Sequence, residues 1–172
     1  MSRRDQIVLT DSELAGLLEE ERVAVVSSLG PRGWPHSMPL WFVAREGEVW
    51  VWTYAKSQKV RNLERDPRAT VLIEAGHEYT ELRGIQVEAE AEVIRDTPTV
   101  AGFGRDLAIR YTDGIDTMNT APQQRRTSAS LRSAIGGDAA AALQAQAAKR
   151  VAIRFVPTRT ATWDHRKLGG TY

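Results

Sequence analysis

VWVWTYAKSQKVRNLERDPRATVLIEA, residues 49–75, decides how this chain folds. The apolar, aromatic run 49–54 predicts a strand, and Ser57 stands where an N-cap opens a short helix, QKVRNLER. Pro67 ends that helix and residues 69–75 resume as strand. Lys56, Lys59 and Arg61 therefore crowd a helix start, whose N–H groups and dipole already carry about half a positive charge. Cations are unfavourable there unless an anion answers them. A phosphate fits, accepting backbone N–H bonds together with the Ser57 hydroxyl and the Lys59 ammonium. The alternative is a set of solvated surface charges.

Outward from this unit the pattern stays mainly β. VAVVSSL (23–29), the breaker-rich GPRGWP and HSMPLWFVA (36–44) predict a hairpin, and a second tight turn at 45–48 leads into the strand at 49–55. Residues 82–94 alternate strictly, with Ile85, Val87, Ala89, Ala91 and Val93 on one face and Gln86, Glu88, Glu90 and Glu92 on the other. RVAIRFVPTRTATW (150–163) is a last strand with Val151, Ile153 and Phe155 inward. Six strands with few helices favour a closed antiparallel barrel, which removes sheet edges. Trp50 and Trp52 on one face of the third strand, against Val49, Val51 and Thr53 on the other, make both faces apolar. The second face then packs on a partner subunit, on a flat ligand, or under a helix of the same chain.

Residues 1–9 are polar and expected to be loosely held. SELAGLLEEE (12–21) reads as a helix capped by Thr10, Asp11 or Ser12, a lid for the barrel with Leu14, Leu17 and Leu18 on one face. Helices are predicted over 97–111 and about 128–148, with Asp138 capping the alanine-rich tract. The long Gly, Asp, Pro and Gln-rich loop between them, about 112–127, is read as mobile or part of a site.

The 172 residues suit one domain, and a net charge of +1 suggests no broad nucleic-acid footprint. The absence of cysteine excludes thiolate nucleophiles and thiolate metal sites. With no secretory or spanning stretch, a soluble, cytoplasmic protein without membrane partners is expected.

The hairpin GPRGWPHSMPLWF, the segment AKSQKVRNLERDPRATVLIE, the strand LRGIQVEAEAEVI and the closing TATWDHRKLGG together resemble the split β-barrel flavin and deazaflavin oxidoreductases. These are pyridoxamine 5'-phosphate oxidase-like proteins, and the SQK..NL..DPR segment with the WDHRKLG terminus is similar to the actinobacterial branch that uses coenzyme F-420. The resemblance covers nearly the whole chain, 1–172. It implies a single α+β domain, a six-stranded antiparallel split β-barrel of the FMN-binding type with flanking helices. It also implies a homodimer with the cofactor, F-420 or alternatively FMN, in a groove between subunits. On that pattern Ser57, Gln58, Lys59 and Asn62 contact the phosphate and tail, and Pro39, Leu40, Trp41, Thr53 and Tyr54 wall the ring. The partner subunit supplies Trp163, His165 and Arg166. Lys56, Arg61, Arg65 and Arg68 offer a basic track for the polyglutamate tail of F-420. The terminus TWDHRKLGGTY does not reproduce the arginine-containing segment that grips pyridoxamine phosphate.

No G-x-S-x-G elbow, P-loop, Rossmann fingerprint or H-E-x-x-H occurs. His36, His77 and His165 lack close ligand spacing, so no metal is expected; His36 reads as a turn or pocket wall. The expected function is hydride transfer from a deazaflavin to a small conjugated or unsaturated substrate, with no catalytic residue assigned. An FMN-dependent oxidase or reductase, and a cofactor-carrying module without turnover, are the alternatives.

Overall fold

A computed structural model describes residues 2–112 and 139–169 of the chain. In chain order the elements are α1 (Arg3–Gln6), α2 (Asp11–Glu20), β1 (Val23–Leu29), β2 (Pro35–Arg45), β3 (Glu48–Tyr54), α3 (Gln58–Arg65) and β4 (Arg68–Ala75). A 3-10 turn (Tyr79–Glu81), β5 (Arg83–Ile94), α4 (Thr97–Thr112), α5 (Ala139–Ala147), β6 (Arg150–Asp164) and a second 3-10 turn (His165–Leu168) follow.

Period-two patterning sends one face of every strand inward, and the strands close in the order β1-β2-β3-β6-β5-β4 with all pairs antiparallel. The expected six-stranded barrel is therefore the observed one. Val26, Phe42, Val51, Val71, Ile73, Ile153 and Phe155 fill its interior and are fully buried. Each such side chain contributes about 1.5–3 kcal/mol relative to exposure. The β2–β3 hairpin is joined by Glu46 and Gly47 at φ of 52° and 81°. A two-residue hairpin loop with both central residues left-handed matches the twist of the strands, and glycine adopts that conformation at no steric cost.

The outer face of β3 is covered from within the chain. Trp50 and Trp52 pack with Trp41, Val43 and Ile94 against Val100, Phe103, Leu107 and Tyr111 of α4 and Leu143 and Ala147 of α5, a second hydrophobic cluster outside the barrel. Of the three readings of that face, the same-chain helix is the one found. Arg45 bonds Asp106 and lays its guanidinium over the Trp50 and Phe103 rings, at 5.1 and 5.0 Å from their centroids, pinning α4 to the β2–β3 turn. The expected loop over about 112–127 falls, beyond Thr112, outside the described residues, as do the Asp138 cap and residues 128–138 of the expected helix.

Helix α2 acts as the expected lid, burying Leu17 and Leu18 in the barrel core behind a Thr10 capping box. The N-terminal segment departs from expectation. Asp164 donates its N–H to the Ile7 carbonyl (2.7 Å), Leu9 donates to Thr162 Oγ1 (3.1 Å), Lys167 donates to the Val8 carbonyl (2.7 Å), and Leu9 is buried. Residues 2–6 are polar, but the apolar Ile7, Val8 and Leu9 that follow carry these ties to β6 and the turn after it, which sequence periodicity does not register.

Candidate functional site

Helix α3 plugs one mouth of the barrel. Ser28 on β1 and Thr53 on β3 are inward-facing hydroxyls in otherwise apolar rows, and both are buried. The helix answers each with a polar side chain. Lys59 donates to Thr53 Oγ1 at 3.0 Å and Asn62 donates to Ser28 Oγ at 3.1 Å. Gln58 in turn donates to Asn62 Oδ1 at 2.8 Å. Val60 and Leu63 fill the apolar space beneath.

Lys59 is only 9% exposed, and burial alone pulls its ammonium below the ordinary value of 10.5. No carboxylate pairs with it among the described residues. Ser57 occupies the N-cap position with extended backbone, φ −69° and ψ 155°, as expected, but its side chain caps nothing. Its Oγ is shielded from water and has no partner, unlike the bonded hydroxyls of Ser2 and Thr10 at the starts of α1 and α2. The first-turn N–H groups of α3 lack intrahelical acceptors, as at any helix start. A buried cation, an unsatisfied hydroxyl and a set of free N–H groups thus converge within three residues of sequence.

Beside this mouth the barrel is split. Strand β2 pairs with β3 only from Phe42↔Val51 to Arg45↔Glu48, so residues 35–41 pair with β1 alone and 52–54 with β6 alone. On its other edge, toward β1, strand β2 is held by Tyr111. Its hydroxyl accepts the Phe42 N–H (3.0 Å) and donates to the Arg22 carbonyl (2.6 Å), taking the place of the next β1–β2 pair. Its ring stacks on Trp41 at 4.4 Å and 14°. Because Phe42 turns its peptide groups toward β1, alternation turns those of Trp41, Pro39 and Ser37 toward the split. Trp52 and Tyr54 face it from β3 by the same alternation. Pro39 offers a carbonyl but no N–H, as suits a strand edge.

The structure therefore gathers Pro39, Leu40, Trp41, Thr53 and Tyr54 around one opening, with Ser57, Gln58 and Lys59 at its end. Their contributions differ. Leu40 packs toward the core, the Trp41 indole lies on Tyr111 outside the barrel, and Tyr54 is exposed with Arg150 4.7 Å over its ring. Asn62 is 0% exposed with both ends of its amide engaged, so it orients Gln58 and Ser28 rather than facing the opening.

Trp163, His165 and Arg166 lie at the opposite end of β6 from Val151, the partner of Thr53. Trp163 sits over Gly84, its register partner. His165 Nδ1 is 2.9 Å from the Tyr79 carbonyl, and Arg166 binds the buried Asp164, whose carboxyl it holds below the ordinary carboxylate range. Within one chain these three do not reach the split. The basic track is also reduced: Arg68 pairs with Asp66, holding that carboxyl at about 2, and Arg65 donates to the Leu29 carbonyl. Lys56 and Arg61 stay exposed. Among the described residues no group of three His, Asp or Glu side chains could hold a metal, and no helix is long and apolar enough to cross a membrane.

Replacing Tyr111 by Phe keeps the stack and deletes the hydroxyl, leaving the Phe42 N–H and the Arg22 carbonyl unpaired. We expect a loss of about 1–3 kcal/mol in denaturant unfolding; a loss below about 0.5 kcal/mol would show that the hydroxyl does not hold β2 in place.

The family model described as Pyridoxamine 5'-phosphate oxidase matches residues 10–164. No curated protein matches the sequence. Among solved structures, a conserved hypothetical protein from Mycobacterium tuberculosis is 32% identical, covers 100% of this chain and 95% of its own, and superposes with a TM-score of 0.76. An F-420 reductase is 22% identical over 85% of this chain and 94% of its own, with a TM-score of 0.57. The heme storage protein HutZ from Vibrio cholerae is 13% identical over 91% and 97%, with a TM-score of 0.62. At those identities the last two show a shared fold.

Proposed function

This chain belongs to the pyridoxamine 5'-phosphate oxidase family, a split-barrel family of flavin- and deazaflavin-binding oxidoreductases, and from that premise we propose that it binds coenzyme F-420 and reduces a small conjugated or unsaturated molecule. The observation that carries the reading is Lys59, a cation 9% exposed without a counter-charge among the described residues, next to the unpartnered hydroxyl of Ser57. A cofactor phosphate at the start of α3 satisfies both, together with the first-turn N–H groups. The peptide groups of Ser37, Trp41 and Trp52 along the split, with the Tyr54 N–H, are the donors and acceptors for the polar edge of a flat ring; the Tyr54 carbonyl already accepts the Ser57 N–H at 3.0 Å. When bound, the cofactor supplies the hydride, and the chain positions it and excludes water. No described side chain is assigned as proton donor.

The likeness to an F-420 reductase supports the deazaflavin. FMN is the second reading. It is favoured by the pairing of Arg68 with Asp66, which leaves less positive charge for an acidic tail. We further propose a homodimer, because only a second copy can bring Trp163, His165 and Arg166 to the split. Light scattering tests this, and a monomer removes those three from the site.

Absorption and fluorescence titration with F-420 and FMN separately tests the cofactor, expecting saturable F-420 binding. Failure of both to bind ends the proposal. Oxidation of reduced cofactor by a quinone and enone panel separates an enzyme from a carrier. Ser57→Ala should weaken binding about tenfold while leaving unfolding of the ligand-free chain unchanged or slightly improved, since the hydroxyl it removes is unpaired. Equal affinity in that variant would take Ser57 out of the site.

A further inference from the structure

A second recess adjoins the proposed phosphate position. A cavity of about 320 Å³ lies between the β1–β2 turn and the first residue of α3, lined by Arg32, Trp34, Pro35, His36 and Gln58 among others. Its wall contains no acidic residue. The larger groove, about 530 Å³ across β1, β4 and β5, differs in carrying both signs, Arg68 against Glu88 and Glu90. Arg32 is exposed and no ion pair holds it among the described residues. His36 Nδ1 is shielded from water with no hydrogen-bond partner, an unsatisfied polar atom in the wall. Trp34 is 75% exposed, the largest apolar surface of this turn.

The turn is also preorganised. Pro31 and Pro35 restrict its backbone, and the Gly30 N–H bonds the Trp34 carbonyl at 2.8 Å. The positive end of α3 faces the same space through Gln58. A rigid loop that presents arginine, an exposed indole and an unsatisfied imidazole, with no acid in the cavity wall, is matched to negative charge.

We infer that this cavity binds a second anionic group, a carboxylate or phosphate, beyond the one at Ser57. The inference rests on the cofactor reading above, because it places the two anions side by side. Two sources supply that chemistry: an acidic extension of the cofactor past its phosphate, which F-420 has and FMN lacks, or a separately bound acidic substrate. Arg32 pairs with the anion, His36 lines the wall beside it, and Trp34 is covered by the adjoining apolar part of the ligand.

Calorimetric titration of wild type and Arg32→Gln with F-420, with FMN, and with cinnamate on the FMN-loaded protein distinguishes the sources. The Trp34 indole signal in NMR, identified by its loss in Trp34→Phe, reports the location. A roughly tenfold weaker F-420 affinity in Arg32→Gln, with FMN within twofold, assigns the cavity to the cofactor extension. Unchanged cofactor affinities, with cinnamate shifting Trp34 and weakened about tenfold by Arg32→Gln, assign it to a separate acid. No ligand altered beyond twofold by Arg32→Gln overturns the inference. Should wild type bind neither cofactor, the proposed function fails instead, and cinnamate binding to the ligand-free chain decides this site alone.

Discussion

Lys59→Met is expected to stabilise the ligand-free protein by about 1 kcal/mol and to weaken cofactor binding ten- to a hundredfold. The two effects have one origin. In the free chain the ammonium is buried with one neutral acceptor among the described residues, Thr53 Oγ1 at 3.0 Å, and an unpaired buried cation costs more than that hydrogen bond returns. Methionine fills similar volume without that penalty. A bound phosphate reverses the balance, because a charge-assisted bond is worth about 1.5–3 kcal/mol. The pH dependence has a fixed sign. With its folded-state pKa pulled below 10.5 by burial, Lys59 holds fewer protons folded than unfolded across the alkaline window that ends there. Its destabilising effect is therefore complete below the lowered pKa and disappears as pH rises toward 10.5. Denaturant unfolding of wild type and Lys59→Met should converge over that window. If the methionine variant is less stable without ligand and binds cofactor as before, Lys59 is a plug and nothing more.

Gly84→Ala should cost about 1–3 kcal/mol and free the Trp163 indole. A β-carbon at position 84 would stand 2.5 Å from Trp163 Cζ2 and 2.8 Å from the Ile73 carbonyl. The indole can swing away, but the carbonyl belongs to the β4–β5 ladder, where Ile73 pairs with Ile85. Relief must come from moving backbone in a barrel strand with neighbours on both sides. Unfolding by denaturant measures the cost, and near-UV dichroism measures the release of Trp163. If Trp163 crosses to a second subunit, cofactor affinity and dimer stability fall together. Wild-type stability with an unchanged tryptophan signal would contradict the close packing described for β5 and β6.

Much of the barrel was legible because each strand buries one face, and burial writes a period of two into the chain. Residues 82–94 show this most clearly, and β5 spans nearly the same stretch. The start of α3 was legible through chemistry, since cations at a positive helix end ask for an explanation. What stayed hidden depended on partners distant in sequence. Lys59 was legible as a phosphate contact but not as a buried cation, because nothing local shows that its side chain turns inward to Thr53. Ser28 carried a usable signal, a hydroxyl in the inward row after Ala24 and Val26. Tyr111 carried none, as its role comes from Arg22 and Phe42, 89 and 69 residues away. The cover over Trp50 and Trp52 was one of three open readings, because an apolar outer face records that something packs there and not what.

The closure of the barrel by β6 constrains when the protein can fold as it is made. Strands β1, β2 and β3 can form a meander from local contacts, but Trp52 of β3 meets its strand partner, Ala152, 100 residues further along. Contacts of that span slow barrel assembly, because loop entropy is spent before the pairing returns it. Until β6 leaves the ribosome, β3 has an open edge and uncovered indoles. The nascent chain is then at its most prone to self-association.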